Sequence, residues 1–322
     1  MKTDLSIVIV SYNTRMLLAQ CLDSIIKETP SLVFEIIVVD NNSEDGTQEM
    51  LARTFPQVKV LVNKENWGFA AANNRGIQAA IGDYVLLLNP DTVILHGAIE
   101  KTFEFLSSHT KAGIVGCKLW FPDGSLQRSV RSFPNVWNVF CEATFLYLVP
   151  WFKWTSQFTL SNVDYNSERT VDWVCGAYMM MRRELVDRIG FLDEQFYMYT
   201  EEVDYCFRAW QAEYEVWFIP QAEVIHHWAG VSNPSRRAFI WSNLSQMLFF
   251  QKHFSGLKKY AVISLKYAGI VLRIPVYFIA GVLSFNKKLI AKASYSMDTA
   301  YRLVATPLKY HHNFTGRVMP WK

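Results

Sequence analysis

Three short stretches of this 322-residue chain carry side chains able to move protons or hold cations. The first is YTEEVDYCFRAW (199–210), which sets Glu201, Glu202 and Asp204 within four residues. With Thr200 as N-cap, the two glutamates fall in a first helical turn and Asp204 can pair with Arg208 at i,i+4. Acids there have two readings. They offset the helix dipole, or, among Tyr197, Met198, Tyr199, Phe207 and Trp210, they acquire the raised pKa of a proton acceptor working near neutral pH. The second stretch is IHHWAGVS (225–232), whose His226 and His227 are candidate metal ligands or ordinary core and capping residues. The third is Asn89-Pro90-Asp91, which follows the apolar run YVLLL (84–88) and puts an acid at the mouth of a buried strand.

The elements that must position these groups alternate along the chain. LSIVIVSYN (5–13) reads as a buried strand and TRMLLAQCLDSIIKET (14–29) as a helix. FEIIVVDNNSEDGT (34–47) is a second strand running into a polar loop. VKVLVNKENWGFAAANNRGIQAA (58–80) supplies a third strand, a loop and an Ala-rich helix. This order predicts an α/β fold with a parallel sheet and helices on both faces. Ligands bind such sheets at the carboxyl ends of the strands. Those ends carry Ser11-Tyr12-Asn13, Asp40-Asn41-Asn42 and Asn89-Pro90-Asp91. Any buried strand must end in something polar, but three ends agree. VDWVCGAYMMMRRELVDRIGFLDEQF (171–196) returns to strand and helix, whereas the aromatic stretch 133–160 has no clean period and reads equally as a flap, a lipid-facing surface or core.

Composition narrows the field. At 51% hydrophobic and 15% aromatic the chain can bury a full core. Cys21, Cys117, Cys141, Cys175 and Cys206 are odd in number and without close pairs, so no disulfide framework or Cys-type zinc site is expected and a reducing compartment fits. The apolar run Leu5–Val10 is too short for a signal peptide. No G-x-G-x-x-G follows the first strand, and neither a Walker A sequence nor a G-x-S-x-G elbow occurs, which argues against dinucleotide dehydrogenases, P-loop enzymes and α/β-hydrolases.

Charge is uneven. From Phe250 to Lys322 there are twelve Lys or Arg and a single acid, Asp298; the other 249 residues hold twenty bases and twenty-eight acids. Lys252, Lys259, Lys266 and Arg273 recur every seventh residue, drawing one basic stripe along a helix beside a wide apolar face. Such a helix lies in a membrane interface with its cations at anionic headgroups. The uncharged span Ile274–Phe285 is too short to cross a bilayer and Pro275 would kink it, although a transmembrane reading that tolerates Arg273 stays open. A core-packed helix is disfavoured because nearby acids are missing. The long apolar runs also fit lipid better than nucleic acid.

Taken together and in order, SIVIVSYN, VVDNNSEDGT, NWGFAAANNRG, LLLNPDT, CGAYMMMRRE, GFLDEQFYMYTEEVDYCFR and HHWAGVS resemble the family 2 inverting glycosyltransferases of the GT-A fold, and within them bacterial rhamnosyltransferase-like enzymes of cell-surface polysaccharide synthesis. The resemblance covers roughly residues 5–232 and implies a GT-A catalytic domain over 1–232, while the basic stripe makes 233–322 a helical, basic, membrane-associating region. It implies that Tyr12 and Asn13 line the nucleotide base, that Asp40 bonds base or ribose with Asn42 nearby, and that Asn66 and Asn74 support the nucleotide-sugar pocket. Asp91 falls on the last acid of the family's Asp-x-Asp motif, a ligand for Mg²⁺ or Mn²⁺, while Asn89 stands where the first acid is expected. Glu202 aligns with the general base, Glu201 beside it, and His227 with a histidine that completes the metal site, His226 being the alternative. The implied partners are a nucleoside-diphosphate sugar (dTDP-rhamnose or a UDP-sugar), a lipid-linked saccharide acceptor, and the cytoplasmic face of the inner membrane through residues 252–288, with no nucleic acid. Two alternatives are the same fold with a UDP-hexose or UDP-galactofuranose donor, and a catalytically silent membrane scaffold.

Overall fold

A computed structural model describes residues 3–149, 164–228 and 235–305. The chain divides into two units, the first comprising Met1–Arg131, Asp164–Glu194 and Glu201–Ala229, the second Ser132–Val163, Gln195–Thr200 and Gly230–Lys322.

The first unit begins with the expected alternation: β1 (Leu5–Ser11), α1 (Arg15–Glu28), β2 (Phe34–Asp40), α2 (Thr47–Thr54), β3 (Lys59–Val62), α3 (Phe69–Ala79), β4 (Tyr84–Leu88), β5 (Thr92–Leu95), α4 (Ala98–Ser108) and β6 (Ala112–Trp120). Two short strands, β7 (Leu126–Gln127) and β8 (Val130–Arg131), follow; α5 (Val136–Ala143) belongs to the second unit. β9 (Arg169–Thr170), β10 (Trp173–Val174), β11 (Tyr178–Arg182), α6 (Arg183–Ile189), α7 (Glu201–Gln211) and β12 (Glu215–His226) complete the first unit. The main sheet runs β3-β2-β1-β4-β11-β6-β12-β5.

Its first four strands are parallel, with Leu5 opposite both Phe34 and Tyr84 and Ser11 opposite Asp40. Strands buried on both faces read as continuous apolar runs, and Ile7, Val8, Ile9, Ile37, Val38 and Leu86–Leu88 are accordingly at most 2% exposed. β11 then enters antiparallel between β4 and β6, and β5 pairs antiparallel with β12, so the sheet is mixed, though mostly parallel, with helices flanking it. Alternation of predicted strands and helices could not show this, because MMMRR is equally apolar in either direction. The carboxyl ends of β1, β2 and β4 lie side by side, as the polar strand ends predict.

The second unit contains α5, α8 (Arg236–His253), α9 (Gly256–Leu283) and α10 (Lys287–Ala305). The aromatic stretch 133–160 therefore contributes a helix whose Val139, Cys141 and Ala143 are buried; its residues 150–160 lie outside the described residues. α9 continues through Pro275 and is long and apolar enough to cross a membrane by length and composition. The basic stripe, however, does not face outward. Lys266 is 2% and Arg273 7% exposed, and both meet Glu142 of α5: Lys266 Nζ donates to Oε1 at 2.9 Å, and Arg273 donates to the Glu142 carbonyl oxygen at 2.8 Å. Lys259 donates to the Gln251 carbonyl at 3.0 Å, and the Lys252 ammonium sits 5.7 Å from the centre of the Phe196 ring. The acid that the sequence of the tail lacks comes from 124 residues upstream of Lys266, and burying cations requires such a partner.

Candidate functional site

Two loops at the sheet rim are knitted together. Asn13 N–H donates to Ser43 Oγ at 2.9 Å, Glu44 N–H to Asn13 Oδ1 at 2.8 Å, and Arg15 N–H to Asp45 Oδ2 at 2.8 Å. Asn13 (φ 53°) and Asn42 (φ 69°) take the left-handed conformation that asparagine tolerates better than most residues. Tyr12 stays 49% exposed on this rim, while Asp40 is fully buried at the end of β2. Asp40 Oδ2 accepts from Gln48 Nε2 at 2.7 Å and Ser43 N–H at 3.3 Å, but Oδ1 is buried without a partner. A buried acceptor left open is costly unless something from outside bonds it, so Oδ1 is fitted to take an N–H or O–H from a ligand.

Behind the rim, Asn41 is the hub. Its Nδ2 donates to Asn66 Oδ1 (3.2 Å) and the Gly68 carbonyl (3.1 Å), and its Oδ1 accepts from Asn63 Nδ2 (2.7 Å) and Trp67 N–H (3.3 Å). Asn66 thereby braces the loop before α3. Asn74 is spent in the same way: its amide donates to the Leu192 carbonyl at 2.8 Å and Glu194 Oε1 at 3.0 Å, and its Oδ1 accepts from Leu192 N–H at 3.0 Å. Buried at 3% exposure with both amide atoms engaged, Asn74 supports a loop and has no free edge for a ligand.

Asp91 and His226 meet at the end of the central strands. His226 Nε2 lies 3.3 Å from Asp91 Oδ1 and 3.3 Å from Asn89 Nδ2. Nδ1 donates to Gln127 Oε1 at 2.9 Å, which fixes the ring, and Trp228 stacks beside it with centroids 6.3 Å apart. His227 reaches the same loop only through its backbone, N–H to the Asp91 carbonyl at 2.9 Å. Successive residues of an extended segment point opposite ways, so it is His226 and not His227 whose ring faces Asp91.

With Nδ1 carrying the hydrogen toward Gln127, the Nε2 lone pair accepts from Asn89 Nδ2 and stands 3.3 Å from an Asp91 carboxylate oxygen, two electron-pair donors that a cation between them would reconcile. Asn89 Oδ1 is buried without a partner beside them. One carboxylate, one amide oxygen and one imidazole suit a hard divalent cation. Among the described residues no group of three His, Cys, Asp or Glu side chains is placed to hold a metal. The third donor here is an amide.

Glu201 begins α7 and is only 4% exposed, whereas Glu202 beside it is half-buried. Burial first, then the adjacent Glu202 charge, hold the Glu201 carboxyl well above the usual carboxylate range, and it hydrogen-bonds to Glu202. Its other oxygen is buried without a partner. Asp204 and Arg208 form the expected i,i+4 pair at 2.9 Å, and Arg208 also clamps the carbonyls of Ile189 (2.7 Å) and Phe191 (2.8 Å). Thr200 has φ 74°, so it is not the extended N-cap that the sequence suggests.

A three-residue segment links the two acidic centres. Burial, then the Glu202 charge, push the Cys175 thiol up to about 11, with a smaller push from Asp91. A Cβ at Gly176 would lie 3.5 Å from Glu202 Cβ. The Ala177 carbonyl accepts from Asn89 N–H at 3.0 Å. The segment therefore runs from the Glu202 side chain to the Asn89 backbone. Sequence reasoning missed Asn41, Gln48 and Gln127. Asn41 was visible in DNN between two residues singled out, while Gln127 sits in a two-residue strand that carries no sequence signal.

Comparisons with known proteins follow the same lines. Residues 6–190 match the profile described as Glycosyl transferase family 2. The N-acetylglucosaminyl-diphospho-decaprenol L-rhamnosyltransferase of Mycobacterium tuberculosis is 30% identical over 234 residues, covering 69% of this chain and 76% of that protein. Rhamnosyltransferase WbbL of Escherichia coli is 26% identical over 185 residues, 54% of this chain and 67% of its own. Among solved structures, the mannosyltransferase PcManGT of Pyrobaculum calidifontis, in complex with GDP-Man and Mn²⁺, superposes with a TM-score of 0.53 at 16% identity over 94% of this chain and 88% of that one, a likeness of fold.

Proposed function

Because the chain belongs to glycosyl transferase family 2, we propose that it is an inverting rhamnosyltransferase, moving L-rhamnose from dTDP-L-rhamnose to a lipid-linked saccharide at the cytoplasmic face of the inner membrane. That it is a glycosyltransferase of GT-A fold is the premise, and its relatives act in cell-surface glycan synthesis. The observation that carries the proposal is the segment Cys175–Ala177, whose Gly176 packs against the Glu202 side chain while its Ala177 carbonyl accepts from the N–H of Asn89, two residues before Asp91. A proton acceptor and an anion-handling acid in one neighbourhood are what single displacement at an anomeric carbon requires.

In this reading Glu202 takes the proton from the acceptor hydroxyl as its oxygen attacks the anomeric carbon opposite the leaving diphosphate. Glu201 keeps its own proton and hydrogen-bonds Glu202, which leaves the pair one negative charge. No covalent intermediate is needed. Asp40 Oδ1 takes a hydrogen bond from base or ribose, with Tyr12, Asn13 and Asn42 around the nucleotide. Asp91, Asn89 Oδ1 and His226 Nε2 would hold Mg²⁺ or Mn²⁺, His226 taking the part that the resemblance gives to His227; the bound ion supplies positive charge against the diphosphate.

The test is thermal unfolding of the full chain with dTDP-L-rhamnose, UDP-hexoses and UDP-galactofuranose, each with and without Mn²⁺. At about a hundred times Kd the true donor stabilises by roughly 2.7 kcal/mol, and dTDP-L-rhamnose is expected to do so in a Mn²⁺-dependent way. A larger shift with a UDP-sugar reassigns the donor. A transferred sugar with retained anomeric configuration, read by NMR of the product, ends the inverting mechanism.

A further inference from the structure

α9 has its polarity reversed relative to a helix of a water-soluble surface. Its inward face carries Lys266 and Arg273, locked onto Glu142, together with buried Val262, Gly269 and Ile270. The opposite face is apolar and open: Leu257 is 89% exposed, Tyr260 70%, Leu272 44%, Ile279 57% and Leu283 76%. These positions recur at three- and four-residue steps or their sums, so they form one stripe along the whole helix. The stripe continues past the helix end to Phe285, 93% exposed. Contiguous apolar surface of this length on a folded chain marks a place where something apolar sits.

Close approach to neighbours makes the arrangement rigid. A Cβ on Gly269 would lie 2.7 Å from Ala143 Cα of α5, and one on Gly281 would lie 2.7 Å from Ile290 Cγ1 of α10. α9 therefore cannot roll to bring its cations outward without losing both contacts.

Cations do appear at the ends of the apolar face. Lys258 is exposed beside Leu257, and Lys287 and Lys288 are exposed just after Phe285. Lysines flanking an apolar stripe match anionic headgroups around a shallow bed of acyl chains. A crossing orientation fits less well, because α10, packed antiparallel beside α9, carries Lys292, Asp298 and Arg302 along its length, and the Lys266–Arg273–Glu142 cluster lies midway along α9.

We propose that the outward face of α9, from Leu257 to Phe285, is a monotopic docking surface that lies in the plane of an anionic lipid leaflet, with Lys258, Lys287 and Lys288 at its rim. This deepens the reading of a membrane-bound acceptor but does not depend on the donor sugar, since vesicle binding is measured without substrate.

Flotation of the full chain with phosphatidylglycerol-containing and pure phosphatidylcholine vesicles tests it. Wild type floats with the former and more weakly with the latter. Ile279→Glu/Leu283→Glu/Phe285→Glu lowers partitioning at least about tenfold on both, with the melting temperature unchanged because these side chains are exposed. Lys287→Gln/Lys288→Gln lowers it roughly 25-fold on the anionic vesicles and little on the neutral ones. The second variant removes no apolar contact, so it keeps the test decisive should the first unfold. A wild-type chain that ignores both vesicles but dimerises in sedimentation, with the triple variant monomeric, makes this face an interface between copies and overturns the proposal. A Phe285→Cys variant whose new thiol is labelled only from the far side of a sealed vesicle overturns it in favour of a span.

Discussion

Two carboxyls, Glu201 and Glu142, show how differently the two units use charge. Glu201 in the sheet unit sits beside another acid, and burial together with that neighbouring charge raises its carboxyl well above the usual carboxylate range. Glu142 in the helical unit sits between Lys266 and Arg273 and accepts from both. The first arrangement leaves electrostatic cost unrelieved within the chain, as sites that act on something else do. The second pairs opposite charges within its own unit, and the outward face of α9 presents mainly apolar side chains. The lesson is that burial of an acid does not disclose its role; the sign of its neighbours does.

The sharpest way to break this comparison is at the open acid pair. Glu202→Gln should lower transfer by about 10²–10⁴-fold or more, with nucleotide-sugar affinity within about twofold in equilibrium binding; surviving transfer would remove Glu202 as the base. The closed cluster makes the opposite prediction. Glu142→Ala strands two buried cations and should cost about 3–5 kcal/mol of stability in denaturant unfolding, whereas replacing all three partners by apolar residues should restore most of it. A neutral Glu142→Ala would mean that the cluster is solvated and the contrast with Glu201 is lost.

Around Asp91 the expected effects are graded. Asp91→Ala should abolish Mn²⁺-dependent transfer and Asn89→Ala should lose less. Gln127→Leu, which only frees the His226 ring, should weaken Mn²⁺ binding roughly 10–100-fold by titration calorimetry. Equal losses for Asn89 and Asp91 would place the charge elsewhere.

The smallest effect is a slope. Glu201 faces Glu202 and Asp204, and its folded-state pKa lies well above 4.5. The native state therefore binds a proton that the unfolded chain has released, and stability falls as pH rises above that value toward the folded pKa. Glu201→Gln should flatten this limb of the unfolding free energy as pH rises above the unfolded-state value. An unchanged slope would show that Glu201 is ionised in the fold.

Much of this was legible in the residues. The apolar runs of β1, β2 and β4 specify strands buried on both faces, and since parallel neighbours end at one rim, their polar endings forecast the site before any coordinates. Asp204 and Arg208 met as their spacing requires, because helical geometry is local. The same locality explains the failures. Whether His226 or His227 faces Asp91 depends on which way β12 turns each side chain, and Gln127 reaches His226 across 99 residues of sequence. The seven-residue basic period holds on α9 for Lys259, Lys266 and Arg273, whereas Lys252 falls on α8; the direction of the stripe was decided by Glu142, which no window along the tail contains. Period and propensity are properties of a segment and the sequence by itself determined them; which charge finds a partner, and so which face of α9 is left to lipid, is a property of long-range contact, and only the tertiary structure decided it.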